Sequence, residues 1–575
     1  MRAVADKIGR ALGRAPVDLL LRNARLVNVM SGEVHPADVA VVDGRIAGFG
    51  GYQAAQVVDL AGSFLAPSFI DGHIHLESTM LTVPEFARAA VPHGTGAVVA
   101  DPHEFANVLG MDGIRYVLEQ RPDLPLDVFV MLPSCVPATA LETSGARLSA
   151  YDLHLLIGEP RVAGLGEMMD YPGVLAADPG TLDKLAVGRD KRIDGHAPGL
   201  SGRELNAYVL AGARSDHECT TADEAREKLR RGMHIHLREG SSEHNLRDLL
   251  PLVTPHNAEN FSFVSDDRSP ASLLAEGHID HCVRLAIRAG LDPVTAIRIA
   301  TVSTAQFYRL RNTGAVVPRY WADLVVFDDL QRPVPRLVFK KGALVARDGA
   351  PLFEAREAEH THIRGTMNAA RLTGDSFRVP ARGRRLRVIR TVPGQIVTAS
   401  TAADALVEDG LAVSDPARDL LKFAVIERHR ASGNIGLGFV SGFGLRRGAL
   451  ASSVAHDSHN LCVLGTDDRD MLAAAARVIE LGGGQVLVSD GRVLAELALP
   501  VAGLVSDRPL EDVAAAAGRL AAAARQAGCA IVDPFAVLSF LSLVPIPELR
   551  LTDRGLVDAT AFTFVDLFLD QEGTT

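Results

Sequence analysis

Two histidines one residue apart, His73 and His75 in Asp71-Gly72-His73-Ile74-His75, give the chain its strongest local sign of chemistry. Side chains along a strand alternate faces, so both imidazoles project to one side and can hold the same metal ion. The pair alone is weak evidence, and the sequence supplies its own control. His234-Ile235-His236 has the same spacing, and both pairs cannot be assumed to be ligands. Other donors follow at the ends of apolar runs: Glu167 in RVAGLGEM, His196 after KRIDG, His217 in SDHE and Asp266 in FSFVSDD. A mixed nitrogen and oxygen set of this size suits two borderline divalent ions, Fe(II), Mn(II) or Zn(II), rather than Mg or Ca. Each residue singly could be a satisfied polar group of a core. Six of them at strand ends call for a common cause.

The elements that position them repeat. FLAPSFIDGHIH, GAVVADPHE, DVFVMLPS, RVAGLGEM, KRIDGHAPG, GARSDHE, MHIHLREG and FSFVSDD are short apolar runs ending in polar residues, with helical stretches between them. Eight such units over about 250 residues predict a (β/α)₈ barrel, whose active site lies at the C-terminal ends of its strands. GARSDHE is the poorest strand of the eight on propensity. Before the barrel, LLLRNARLVNV and ADVAVVDGRIAGFG read as strands with Asp43-Gly44 as a hairpin turn. ADLVVFDDL and RLVFKKGALVARDG return to that texture near residue 322. The expected architecture is therefore a barrel inserted in a small β-sandwich, followed by a C-terminal α+β domain. Residues 1–65 and 321–360 form the sandwich, 66–320 the catalytic barrel and 361–575 the last domain. That last region holds strands such as LRVIRTVPGQIVTA and LLKFAVIER and an Ala-rich helix, DVAAAAGRLAAAARQAG.

Bulk properties narrow the partners. The 575 residues are too many for one core, and 47% hydrophobic with 22% charged residues is ordinary for a globular chain. A net charge of -11 argues against a nucleic-acid backbone as partner. No apolar run is long enough to cross a bilayer, and the Arg- and Lys-dotted start reads as a short surface helix rather than a secretory signal. Cys135, Cys219, Cys282, Cys462 and Cys529 form no CxxC pair, which points to a reducing cytoplasm. Cys219 lies close to candidate ligands but reads as a small packing residue. The Gly-rich runs GNIGLGFVSGFGL and LGGG lack phosphate-loop spacing and read as tight turns.

The motifs DGHIHLEST, ADPHEFANVLG, GLGEMMDYPGV, DGHAPGLSGRELNAYVLAGARSDHE, REGS and FVSDDRSP with GHIDHCVRLAI follow one another in an order that resembles the adenine deaminase family of the amidohydrolase superfamily. The resemblance covers residues 19–349, and SGNIGLGFVSGFGL and SSVAHDSHN resemble the family's extra C-terminal domain. It implies hydrolytic deamination of adenine to hypoxanthine and ammonia, in purine salvage or catabolism, by hydroxide attack at C6. It also implies the roles: His73 and His75 as the first metal pair, Glu167 as a carboxylate bridging two metals, and His196, His217 and Asp266 as the other ligands. Cyclic-amide relatives use a carboxylated lysine at the bridging position, and no lysine lies between Asp101 and Thr181.

On that reading Asp266 takes a proton from the attacking water and returns it to the leaving amino group. A second acid must protonate the ring. Glu77, Glu104, Glu218 and Glu239 all sit near strand ends, and His103 and Glu104 are candidates for substrate contact. Arg238 and Glu239, and beyond the barrel His456, Asp457 and His459, are further candidates for contact with adenine. A homodimer is expected of such an enzyme. The alternative is an amidohydrolase acting on another aminopurine or on a cyclic amide.

Overall fold

The eight apolar runs become eight parallel strands in the computed structural model, which describes residues 2–360 and 362–570. Five of them, Phe69–Ile74, Thr95–Ala100, Asp127–Leu132, Val162–Met168 and Arg192–Gly195, form one sheet in chain order. Ser215–Asp216, His234–Arg238 and Phe261–Val264 form a second. Backbone bonds close the ring: Asp266 N donates to His73 O and His75 N to Asp266 O, each at 2.9 Å. On the other side Arg214 N donates to Ile193 O at 2.9 Å. Strands one, two, seven and eight are buried along their whole length, as expected where side chains fill the barrel and helices cover it outside. GARSDHE yields the shortest strand, two residues, in keeping with its poor propensity.

Strands from both sides of the barrel in sequence share one nine-stranded sheet. Phe64–Pro67 is its hinge piece, antiparallel to Leu324–Phe327 and parallel to the long strand Val17–Asn28. Leu19, Leu21 and Leu26 meet Leu324, Val326 and Phe339 in a core of their own. The N-terminal segment forms the helix Arg2–Ala11 on this sheet's surface.

The C-terminal part is built on an eight-stranded sheet that includes Arg385–Thr391, Leu421–Ile426, Ala449–Ser452 and Leu461–Gly465, with helices Asp468–Glu480 and Leu510–Gln526 packed on it. The Gly-rich run supplies the strand Ile435–Ser441 and positive-φ turns at Gly433, Gly442 and Gly444. This region docks on the barrel at two places. Ser506 N donates to Met80 O (2.9 Å) and Leu510 N to Glu85 (3.1 Å). Around the loop after the third barrel strand, Thr143 N donates to Asp553 (2.8 Å), Asn460 to Thr143 O (2.8 Å) and Arg554 to Ala140 O (2.6 Å). The stretch from Ser452 to Asn460 is thereby held over the C-terminal ends of the barrel strands.

Candidate active site

The strand ends bring His73, His75, Glu167, His196, His217 and Asp266 into one cluster, buried except for half-buried His196. His73 and His75 leave the first strand on the same side, their rings 4.8 Å apart. Their Nε2 atoms lie 3.2 and 3.3 Å from Asp266 Oδ1. Asp266 itself has a left-handed backbone (φ 53°), a conformation Asp tolerates better than most residues and one that collects at functional sites. Glu167 stands in the middle, with each oxygen facing a different side. Oε1 lies 3.3 Å from His75 Nε2 and 3.3 Å from His103 Nδ1. Oε2 lies 2.7 Å from His196 Nδ1 and 3.2 Å from His217 Nε2.

The donor chemistry fits divalent cations. His73, His75 and Asp266 make one group whose ligand atoms lie within 4.8 Å of one another, and His73, Glu167 and His217 make an overlapping one. Both ring nitrogens of His73, His217 Nδ1 and Asp266 Oδ1 are buried without a hydrogen-bond partner, although buried polar atoms are almost always paired. Burial alone would raise the Glu167 carboxyl, yet the imidazoles of His103, His196, His217 and His75 hold it well below the usual carboxylate range. Asp266 is lowered in the same way: burial opposes it, but His217, His73, His75 and Arg238 prevail. Acids kept ionised in a dry pocket are what cation binding requires.

The surrounding shell fixes this set. His75 Nδ1 contacts Asp101 O at 2.9 Å, and Asp101 Oδ2 accepts from Glu167 N at 3.0 Å. Asp101 comes so near the fourth strand that a Cβ on Gly166 would meet its carboxylate at 2.0 Å, so only glycine fits there. Tyr208 OH donates to Met168 O (2.8 Å) and accepts from His196 N (3.0 Å). The sequence reading passed over Asp101 and Tyr208. Asp101 obeys the strand-end rule, whereas Tyr208 reaches in from a helix and carries no such signal.

The remaining candidates divide. His103 is part of the cluster through Glu167 and stacks edgewise on His75. Glu218 lies 3.4 Å from His217 Nε2 and is paired with Arg238 at 2.6 Å, and Arg238 also holds Asp266 at 2.9 Å. Glu77 accepts from Phe105 N at 2.9 Å through Oε1 while Oε2 is unpaired, and burial, then the charge of Glu104, raise its carboxyl to about 8. Glu104 meets His456 Nδ1 at 2.5 Å, so the C-terminal stretch does reach the site. Asp457 stands 3.9 Å from His103 Nε2. His459 is buried beside His456, ring centroids 5.7 Å apart, and its Nδ1 accepts from Ala455 N. Glu239 is not brought to the cluster. It faces His244 at 2.9 Å, outside the ring of ligands.

The second His-x-His pair lies at a different level. His234 opens its strand, and Arg238 rather than a histidine ends it. His234 stacks on Phe307 and His236 on Tyr308, inside the barrel, and burial holds His234 down at about 3. The position along the strand, not the spacing, separates the two pairs. The group Asp216, Cys219 and Glu224 is likewise no vacant cradle, because the Lys228 ammonium is bonded to Asp216 and Glu224.

Comparison with known proteins gives a consistent result. The amidohydrolase family model matches residues 64–345, and the model "Adenine deaminase C-terminal domain" matches residues 395–563. Adenine deaminase 2 of Carboxydothermus hydrogenoformans is 50% identical over 99% of this chain and 100% of its own length. The adenine deaminase of Oleidesulfovibrio alaskensis is 50% identical over 98% of each chain. That of Methanothrix thermoacetophila is 49% identical over 99% of this chain and 100% of its own.

Proposed function

This chain belongs to the adenine deaminase family of the amidohydrolases, and on that premise we propose how its residues share the work of hydrolysing adenine to hypoxanthine and ammonia. The reaction adds water across C6: one oxygen stays on the ring, N1 gains a proton, and the amino group leaves as ammonia. His73, His75 and Asp266 would hold one divalent cation, His196 and His217 a second, with Glu167 between them. Fe(II) or Mn(II) suits the donors best, and Zn(II) is compatible. Such ions lower the pKa of water enough for attack at neutral pH.

The observation that carries this assignment is Glu167, whose two oxygens face two different sets of imidazoles. Asp266 Oδ1 is the unpaired acceptor at the same spot, while Oδ2 is fixed by Arg238. It takes one proton from the attacking water and hands it to the departing amino group. Ring protonation we assign to the Glu104–His456 pair. Glu218 is tied to Arg238, which never gives up its proton, and Glu77 is tied to a backbone amide. Glu239 faces His244 away from the cluster, which leaves Glu104 as the candidate at the site that rests on an imidazole outside the ligand set, one that can pass a proton on. Contact with adenine is shared by His103, Glu104, Asp457 and His459 under the C-terminal roof.

The sheet shared by both flanks supports a division into residues 1–65 with 321–360, 66–320 and 361–575. Five free, buried cysteines suit a reducing cytoplasm, and no helix among the described residues is long and apolar enough to cross a membrane. Tyr151 and Leu155, four residues apart on the helix Ala150–Leu156 and both exposed, give an apolar face that a second copy of the chain would cover in a homodimer. The role is purine salvage or catabolism. The decisive test loads apo-protein with Mn(II) or Fe(II) and follows ammonia release alongside metal content. Two ions per chain at full activity, and none held by Glu167→Ala, is the expected result. Full activity at one ion per chain would sink the assignment.

A further inference from the structure

One charged cavity has no part in deamination. It measures about 580 Å³, within the range of small-molecule sites, and lies at the end of the barrel opposite the metal ligands. Its walls come from the beginnings of the third, fourth and fifth strands at Asp127, Val162 and Arg192, from the turn Tyr308 to Arg311, and from Trp321 and Lys341 where the sandwich sheet abuts the barrel.

The cavity is cationic in a chain whose net charge is -11. Lys191, Arg192, Arg309, Arg311 and Lys341 line it, against Asp127, Glu159 and Asp190. Two of those acids are already engaged: Asp127 by Lys340 at 2.6 Å and Lys341 at 3.7 Å, Asp190 by Arg189 at 3.7 Å. Among the described residues, Arg192, Arg309 and Arg311 have no carboxylate within ion-pair distance. Arg192 donates to Phe307 O and lies 5.0 Å over the Phe307 ring, and Arg309 donates to Asp190 O at 3.3 Å. Burial, and then the charges of Arg309 and Arg214, press Arg192 below its ordinary value. Arg309, Arg311 and Lys341 are exposed at the mouth with Arg192 half-buried behind them, and like charges gathered on one concave surface raise the local concentration of anions. Neither adenine nor hypoxanthine is an anion at neutral pH, so the reaction does not supply one.

We propose that this cavity binds a phosphoryl group carried by a small organic molecule of nucleotide size. Arg309, Arg311 and Arg192 take the phosphoryl oxygens, for which the planar guanidinium fork is suited. Phe129, Leu310 and Tyr308 form the less polar wall for the organic part.

The test uses the metal-loaded enzyme with hypoxanthine present to occupy the catalytic site. AMP, pyrophosphate, inorganic phosphate and adenosine are titrated at constant ionic strength by calorimetry, with thermal shifts alongside. AMP should bind saturably and adenosine should not. In the double variant Arg309→Glu with Arg311→Glu, affinity should fall about tenfold or more, since each charge-assisted hydrogen bond is worth roughly a decade. Adenine turnover of that variant should be unchanged. A matched reversal at exposed Arg371 and Arg525 should leave AMP binding intact. Equal affinity for AMP and inorganic phosphate would support the phosphoryl site and make free phosphate its occupant. No saturable binding of any phosphate, or equal binding by the Arg309/Arg311 variant and the parent, would overturn the proposal.

Discussion

Replacing Glu104 by glutamine separates chemistry from metal binding more cleanly than any other change. Glu104 and His456 meet at 2.5 Å, the carboxylate buried and the imidazole mostly covered. Burial lowers His456, but the charge and hydrogen bond of Glu104 outweigh it and raise the imidazole to about 9 from 6.5. At pH 7 the carboxylate therefore keeps His456 protonated by two pH units, a preference worth about 2–3 kcal/mol at 1.36 kcal/mol per unit. Glutamine keeps the shape and an acceptor oxygen but loses the charge, so folding stability should drop by about that amount. The rate should fall further. The amide cannot carry a proton from His456 to the ring, and losing such a transfer costs about 10²- to 10⁴-fold, or roughly 3–5 kcal/mol of barrier. Metal content should not change, because Glu104 belongs to none of the groups that could hold a cation. The assay is adenine absorbance for kcat and KM, with elemental analysis of the same sample. A fall in kcat at constant metal is expected. A rise in KM with kcat intact would reduce Glu104 to a binding residue. A loss of metal in step with activity would refute the argument.

Other consequences follow from the same geometry. Asp266→Asn should retain most of the metal and lose about 10²- to 10⁴-fold in kcat, since the amide cannot carry the proton; near-normal turnover would contradict the role. His456 has a raised pKa, so the stability it brings is fully present below pH 6.5 and fades as the pH climbs through about 9. Melting temperatures of His456→Gln and the parent should then differ at pH 6 and converge above pH 9. Gly166→Ala places a methyl against the Asp101 carboxylate and should cost about 1–3 kcal/mol of stability, read by denaturant titration.

The cluster was legible in the sequence because one rule located it. Polar residues at the C-terminal ends of parallel strands converge, so six donors could be collected without any knowledge of packing. The same rule takes in Asp101 as well, and it offers His103 as a catalytic or substrate-contacting residue without showing that it lies 3.3 Å from Glu167. It also explains the second His-x-His pair. His234 begins its strand and lies one layer down, packed on Phe307, where spacing alone gives no hint of depth. The meeting of Glu104 with His456 is a fact of docking between regions far apart in the chain. Hydrophobic periodicity describes a strand's faces, not which distant loop will cover its end.

That docking also bears on why the site selects a purine. The charges around the ligands are paired among themselves: Glu167 with its imidazoles, Asp266 and Glu218 with Arg238, Glu104 with His456. What is left over, away from the metal ligands, is polar and unpaired. Glu77 Oε2, Glu142 Oε1, Asp457 Oδ2 and His459 Nε2 are all buried without partners near the seam between barrel and roof. Adenine carries both donors and acceptors on its edges and can satisfy such atoms, whereas an analogue missing one would leave a buried group unmet. Each unmet group costs about 1–3 kcal/mol, so exchanging one ring nitrogen of adenine for carbon, away from C6 and N1, should lower kcat/KM by roughly 5- to 150-fold. Steady-state kinetics with deaza-adenines that keep N1 measure this directly. If every one of them turned over as well as adenine, recognition would have to come from shape and the C6 amino group alone.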